Sequence, residues 1–185
     1  MVKNIRTFAI TGVVAALALA GSTAAWAQAA GTEARVVDVG SGVVDAETIK
    51  EGLFPLEHCE ELRKNGFKCM GVKPTVTFSL PAVAFAFGSA VLPQSLMRQL
   101  DVFAEVLSAN RTLPYTIRIV GHADASGTEE GNRVLSQRRA EEVRRYLVSK
   151  GADGGKLDVA GVGSKDLLKP DTPTSADNRR VTLGR

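Results

Sequence analysis

Apolar positions recur with two different periods along this chain, and the switches between them mark its elements. Thr75 to Phe87 alternates and then turns apolar through Val76, Phe78, Val83, Phe85 and Phe87, which predicts a strand with a break at Pro81. Gly88-Ser89-Ala90 predicts a loop, and Pro93 suits the first turn of a helix. In that helix Leu96, Leu100, Phe103, Ala104 and Leu107 form one continuous stripe. Thr116 to Val120 then alternates β-branched with polar residues and stops at Gly121, so a second strand is predicted. From Asn132 to Lys150 the spacing is helical, and at about 100° per residue Ser136, Ala140, Val143 and Leu147 share a face. Arg139 falls beside that face, whereas Arg138, Arg145, Glu141 and Glu142 lie opposite it. Gly151 ends the helix and Leu157 to Gly161 predicts a third strand. A long loop from Gly163 to Ala176, with Pro170 and Pro173, leads to a short last strand, Arg180 to Leu183. The order β-α-β-α-β-β predicts an α+β, two-layer sandwich, with two main helices on a mixed four-stranded sheet spanning residues 75–185.

The first 74 residues follow different patterns. Residues 1–27 have the parts of a secretory signal peptide: Lys3 and Arg6, an apolar run from Phe8 to Ala20, and Ala25-Trp26-Ala27 before Gln28. Cleavage after Ala27 is expected, and no cysteine stands near that point to carry a lipid. The alternative is an uncleaved anchor from Phe8 to Ala27, at about 20 residues just long enough to span a bilayer. Gly12, Gly21, Ser22 and Thr23 dilute that run. Residues 28–74 read as an N-terminal extension, too short for a membrane β-barrel. Within it Ala34 to Val44 can be extended, Asp45 can cap a helix through Leu53, and Pro55 to Asn65 predicts another helix stopped by Gly66.

Composition changes the picture in two places. Removing residues 1–27 leaves 21 basic against 20 acidic side chains, a net charge of +1, and no lysine-rich stripe with interleaved aromatics, so a nucleic-acid partner is not expected. Cys59 and Cys69 are the only cysteines, and an even pair at short spacing in an exported chain is most simply a disulfide. The alternative is a metal site from His58, Cys59 and Cys69 with Glu57 or Glu60, but that spacing matches no common zinc pattern.

The chemistry concentrates in Gly121-His122-Ala123-Asp124-Ala125-Ser126-Gly127, a loop leaving the carboxyl end of a strand, where ligand sites of open sheets collect. A guanidinium at the margin of the core, as Arg139 would be, needs an anion, a carbonyl or water. One reading is an Asp124 to Arg139 salt bridge that pins the loop. The other is a two-pole clamp, with Asp124 taking a ligand ammonium and Arg139 a ligand carboxylate through its bidentate fork. Arg179 and Arg180, if a strand begins there, turn to opposite sides, and either could instead pair with an acid such as Asp177.

Three motifs in order carry a resemblance: Gly121-His122-Ala123-Asp124 with Gly127, Asn132-x-x-Leu135-Ser136-x-x-Arg139-Ala140, and Asn178-Arg179-Arg180-Val181. Over roughly residues 75–185 the chain resembles the OmpA-like peptidoglycan-binding domains of outer-membrane proteins, peptidoglycan-associated lipoproteins and flagellar stator proteins. The resemblance implies noncovalent binding of the peptide stem of the cell wall, without catalysis or cofactor. It also implies that Asp124 and Arg139 hold the zwitterionic end of diaminopimelate. Gly127, Asn132, Leu135 and Arg179, with Phe87 and Gly88 from the first loop, are the supporting residues expected around that pair. Family members often carry acidic or amide side chains where this chain has Ala86 and Gly88, so the first loop would contribute backbone. A periplasmic protein associated with the cell wall or outer membrane is implied, residues 28–74 being free to engage an envelope protein. Were residues 8–27 retained, the chain would be similar to an inner-membrane stator-like tether. A wall hydrolase using His122 and Asp124 as acid and base is the remaining alternative, lacking a nucleophile or a metal motif.

Overall fold

The computed structural model describes residues 35–40, 42–69, 75–81, 85–86 and 88–185. The expected signal peptide, and Val83 and Phe87 of the first predicted strand, lie outside the described residues. The elements are β1 (Arg35–Asp38), α1 (Ala46–Leu53), α2 (Pro55–Lys64), β2 (Val76–Pro81), α3 (Gln94–Ala109), β3 (Ile117–His122), α4 (Glu129–Ser149), β4 (Leu157–Gly163) and β5 (Arg180–Gly184).

Local chemistry sets the helix boundaries. Asp45 caps α1 by accepting from Thr48 N at 2.8 Å and Thr48 Oγ1 at 2.9 Å. Pro55 cannot donate into α1 but suits the start of α2, so the chain turns between the two helices at Phe54. Thr128 caps α4 through Gly131 N at 3.1 Å, and Glu129 and Glu130 put negative charge at the positive end of that helix.

The strands form one mixed sheet in the order β1-β2-β5-β3-β4. β1 runs parallel to β2 and β3 parallel to β4, while β5 is antiparallel to both β2 and β3. The α+β class is as expected, but the sheet has five strands rather than four. The extra edge strand comes from the N-terminal extension: Arg35 pairs with Val76 and Asp38 with Ser79. Four residues without a clear alternation announce no partner, because a sheet edge 41 positions away supplies it. The segment is also tied to the helix layer, as Gln99 Nε2 donates to Gly40 O at 3.1 Å and Gly42 O at 2.7 Å.

Helices α1, α3 and α4 lie side by side over the sheet, with α4 on β3 and β4 and α1 beside β2. Gly52 permits that approach, since a Cβ there would overlap the Phe78 ring. One core results, in which Ile49 and Leu53 of the extension are as fully buried as Phe78, Leu100, Ile119, Val143 and Leu183. Phe78 and Phe103 meet edge to face at 5.4 Å between centroids, sealing sheet to α3. Cys59 and Cys69 are joined in a disulfide with Cα atoms 5.6 Å apart, which leaves no thiolate for the alternative metal site.

Candidate functional site

Close packing of α4 on the sheet decides where the site sits. A Cβ on Gly121 would overlap the Ser136 carbonyl, and one on Gly161 would overlap the Gln137 backbone, so only glycine lets the helix rest on β3 and β4 at this depth. Ser136 Oγ completes the seam by accepting from Gly163 N at 2.9 Å. With its first half fixed in this way, α4 carries Arg139 into the molecule, leaving the residue 1% exposed.

Asp124 lies just past the end of β3 and is itself 6% exposed. Its Oδ1 accepts from Ser126 N at 2.9 Å, and its Oδ2 accepts from Arg179 Nη1 at 2.7 Å. Burial on its own would raise this carboxyl, but the bonds from Arg179 and Ser126 outweigh it and hold it below the usual carboxylate range. Asn132 Nδ2 donates to the Asp124 carbonyl at 3.0 Å, anchoring the loop to the first turn of α4. Gly127, at φ +83°, supplies the left-handed residue that turns the loop into the helix.

The Asp124 to Arg139 salt bridge is therefore not what the structure contains: Arg179, 55 positions downstream, is the partner of the acid. Arg139 instead donates from Nε to Ser89 O at 3.0 Å and lies 4.9 Å from the centroid of the Phe85 ring. Its Nη2 is buried with no hydrogen-bond partner among the described residues. Burial first, and the positive charge of Arg179 second, push its pKa down, and the Asp124 charge opposes them. Arg179 bonds the carboxylate, whereas Arg139 is influenced by its charge without an ion pair to it.

The other motif residues build the walls. Asn178 is fully buried and acts as a hub for the long loop, accepting from Lys169 N at 2.8 Å and donating to Thr172 O at 3.0 Å and Pro173 O at 3.1 Å. Pro173 O in turn accepts from Ala125 N at 2.8 Å, which presses the long loop onto the Asp124 loop. Arg180 turns away from Arg179 and takes Asp166, with Nη1 to its carbonyl and Nη2 to its carboxylate, both at 3.1 Å. Neither arginine pairs with Asp177, which bonds Lys169 instead. Leu135 is half-buried, and Gly88 is exposed at φ +66° beside Ser89. Phe87 lies outside the described residues. The contributions of Ser89 O and Asp166 carry no signal in the sequence, since one is a backbone group and the other a single acid in a loop.

His122 is 3% exposed, with Nδ1 at 3.3 Å from Asp166 O and Nε2 at 3.3 Å from Thr182 Oγ1. Burial, then the Arg180 charge, lower its pKa to about 4, with Asp166 opposing. It is a neutral bridge between the end of β3, the long loop and β5, sharing no hydrogen bond with Asp124.

The site thus holds a sheet-end acid, a buried helix arginine and a loop hung on Asn178. Residues 84–180 match the model of the OmpA family. The chain belongs to that family. Among its OmpA-family relatives, the peptidoglycan-associated lipoprotein of Pseudomonas putida is 37% identical over 101 residues, 54% of this chain and 59% of the lipoprotein. Outer membrane protein A of Klebsiella aerogenes is 34% identical over 105 residues, 56% of this chain and 29% of that protein. The match thus spans about three fifths of the lipoprotein and under a third of the outer membrane protein. The OmpA-like domain of FopA1 from Francisella tularensis shares the fold, with a TM-score of 0.50 at 24% identity, over 55% of this chain and 68% of that one.

Proposed function

We propose that this OmpA-family protein binds peptidoglycan noncovalently through the free end of diaminopimelate in the stem peptide, as a structural tether of the cell envelope. The observation that carries the reading is the buried Arg139, one of whose guanidinium nitrogens has no acceptor among the described residues. A guanidinium so placed is costly until a carboxylate meets it. Asp124, ionised beside it, gives the second pole for an ammonium on the same carbon. The name of the lipoprotein relatives, peptidoglycan-associated, supports the same ligand. The activity in this reading is binding rather than bond cleavage: His122 has both ring nitrogens engaged by the chain, and Asp124, its partner in the hydrolase alternative, is bonded to Ser126 and Arg179. Export to the periplasm, and attachment to the wall or outer membrane, follow from the ligand.

Co-sedimentation with purified sacculi tests the proposal. Arg139→Ala removes a charge-assisted contact worth about 1.5 to 3 kcal/mol, so affinity falls roughly tenfold or more, and Asp124→Ala falls in the same direction. Both variants are checked for native circular dichroism. Parent-like sedimentation by both, with the fold intact, overturns the reading.

A further inference from the structure

Asp124 and Arg139 differ in what the chain already gives them. Both carboxylate oxygens of Asp124 accept a hydrogen bond, one from Ser126 N and one from Arg179 Nη1. Arg139 has its Nε bonded to Ser89 O and its Nη2 bonded to nothing among the described residues. What this pair lacks is an acceptor, because the donor that Asp124 needs is supplied from within. Arg179, whose side chain is 28% exposed against 1% for the whole of Arg139, is the more accessible cation.

We propose that Arg179 stands in for the ligand ammonium at Asp124 and exchanges with it on binding, so that recognition by this protein is driven by the ligand carboxylate and only weakly by its amine. The inference rests on the peptidoglycan reading and adds a preference to it. A ligand carboxylate brings Arg139 the acceptor it lacks. Each Asp124 oxygen has a second lone pair, but the residue is 6% exposed and its Oδ2 already holds a guanidinium at 2.7 Å, so a ligand ammonium competes with Arg179 and one charge-assisted bond is traded for another. The released Arg179 fork keeps the positive charge beside the site and can turn to the incoming carboxylate, a planar match that a lysine would not give. A ligand without the amine leaves Arg179 where it is, and Asp124 remains paired. Stem peptides whose diaminopimelate carboxylate is converted to an amide are the ones this site rejects.

Calorimetric titration of the full chain with three soluble stem tripeptides tests the exchange. One carries free diaminopimelate, one has the carboxylate at its free end converted to a carboxamide, and one has the amine on that carbon replaced by hydrogen. For the parent, the carboxamide peptide binds roughly tenfold or more weakly than the free form. Loss of the amine weakens binding by less than about threefold, because Arg179 keeps Asp124 paired. In Arg179→Ala, Asp124 has no internal cation, and loss of the amine then weakens binding by about tenfold. In Arg179→Lys a point charge returns to Asp124 and the penalty falls back toward the parent value, a pattern that general damage to the loop would not give. The exchange is overturned if the parent suffers equally from losing either group, or if the amine penalty is the same in parent and Arg179→Ala. An Arg139→Ala chain that binds the free tripeptide as the parent does overturns the peptidoglycan reading itself. Arg139 dependence with an unchanged amine penalty sinks only the exchange.

Discussion

His122 reports on the balance of charges behind the site. Its pKa lies near 4 in the folded chain against an ordinary 6.5. Between those values the unfolded chain binds a proton that the folded one refuses, so stability rises with pH across that window and is flat below it. From near pH 7.5 to near pH 4.5 the effect amounts to about 2.5 kcal/mol. Urea titrations of the parent and His122→Asn at both values read it: the parent loses about that much more on acidification, and equal losses in the two proteins exclude a buried neutral imidazole as the cause. Gly121 is a second sensitive position, for steric rather than electrostatic reasons. A methyl group there meets the Ser136 carbonyl. Gly121→Ala must lift α4 from β3, at a cost of about 3 kcal/mol or more in urea unfolding, a large value for adding one carbon.

Among the elements, those written in local chemistry were legible in the sequence. The Asp45 cap, the break at Pro55 and the stripe of Ser136, Ala140, Val143 and Leu147 act over a few residues, and the structure has each of them. What sequence could not supply were pairings across distance. The placement of Arg35–Asp38 beside β2, the hold of Arg179 on Asp124 and the Ser89 carbonyl under Arg139 join residues 41, 55 and 50 positions apart. At the candidate site the positions of Asp124 past β3 and of Arg139 at the core were legible, while the bond from Arg179 to Asp124 was not. The Cys59 to Cys69 bond closes a separation of 10 residues at the end of α2. In the chain-entropy account such a loop contributes about 2 to 3 kcal/mol. Thermal unfolding with and without reductant measures it: the midpoint drops on reduction, and an unchanged midpoint means the bond adds no stability.

For the whole molecule, residues 35–69 are part of the core rather than an appendage. Ile49 and Leu53 fill it from above β2, and the Tyr115 hydroxyl donates to Glu57 Oε1 at 2.7 Å, with the Phe54 and Tyr115 rings stacked at 6.2 Å. The Arg185 guanidinium lies 3.5 Å from the centroid of the same Tyr115 ring, so the residue after β5 and the start of α2 meet on Tyr115. A fragment of residues 75–185 would uncover Phe78 and the side of α3 against which α1 packs. It is therefore expected to lose the single cooperative melt of the full chain, monitored by near-ultraviolet circular dichroism, whereas a parent-like transition would make the first part dispensable. A sheet that borrows its outermost strand in this way also acquires a guard. Without β1, the backbone amides and carbonyls along the outer side of β2 would invite a neighbouring copy to add on in register, and further copies could follow like links in a chain. Arg35 and Asp38, charged at the two ends of the borrowed strand, make the next addition unwelcome. The short border segment thereby guards the β2 side of the sheet against addition of a second copy.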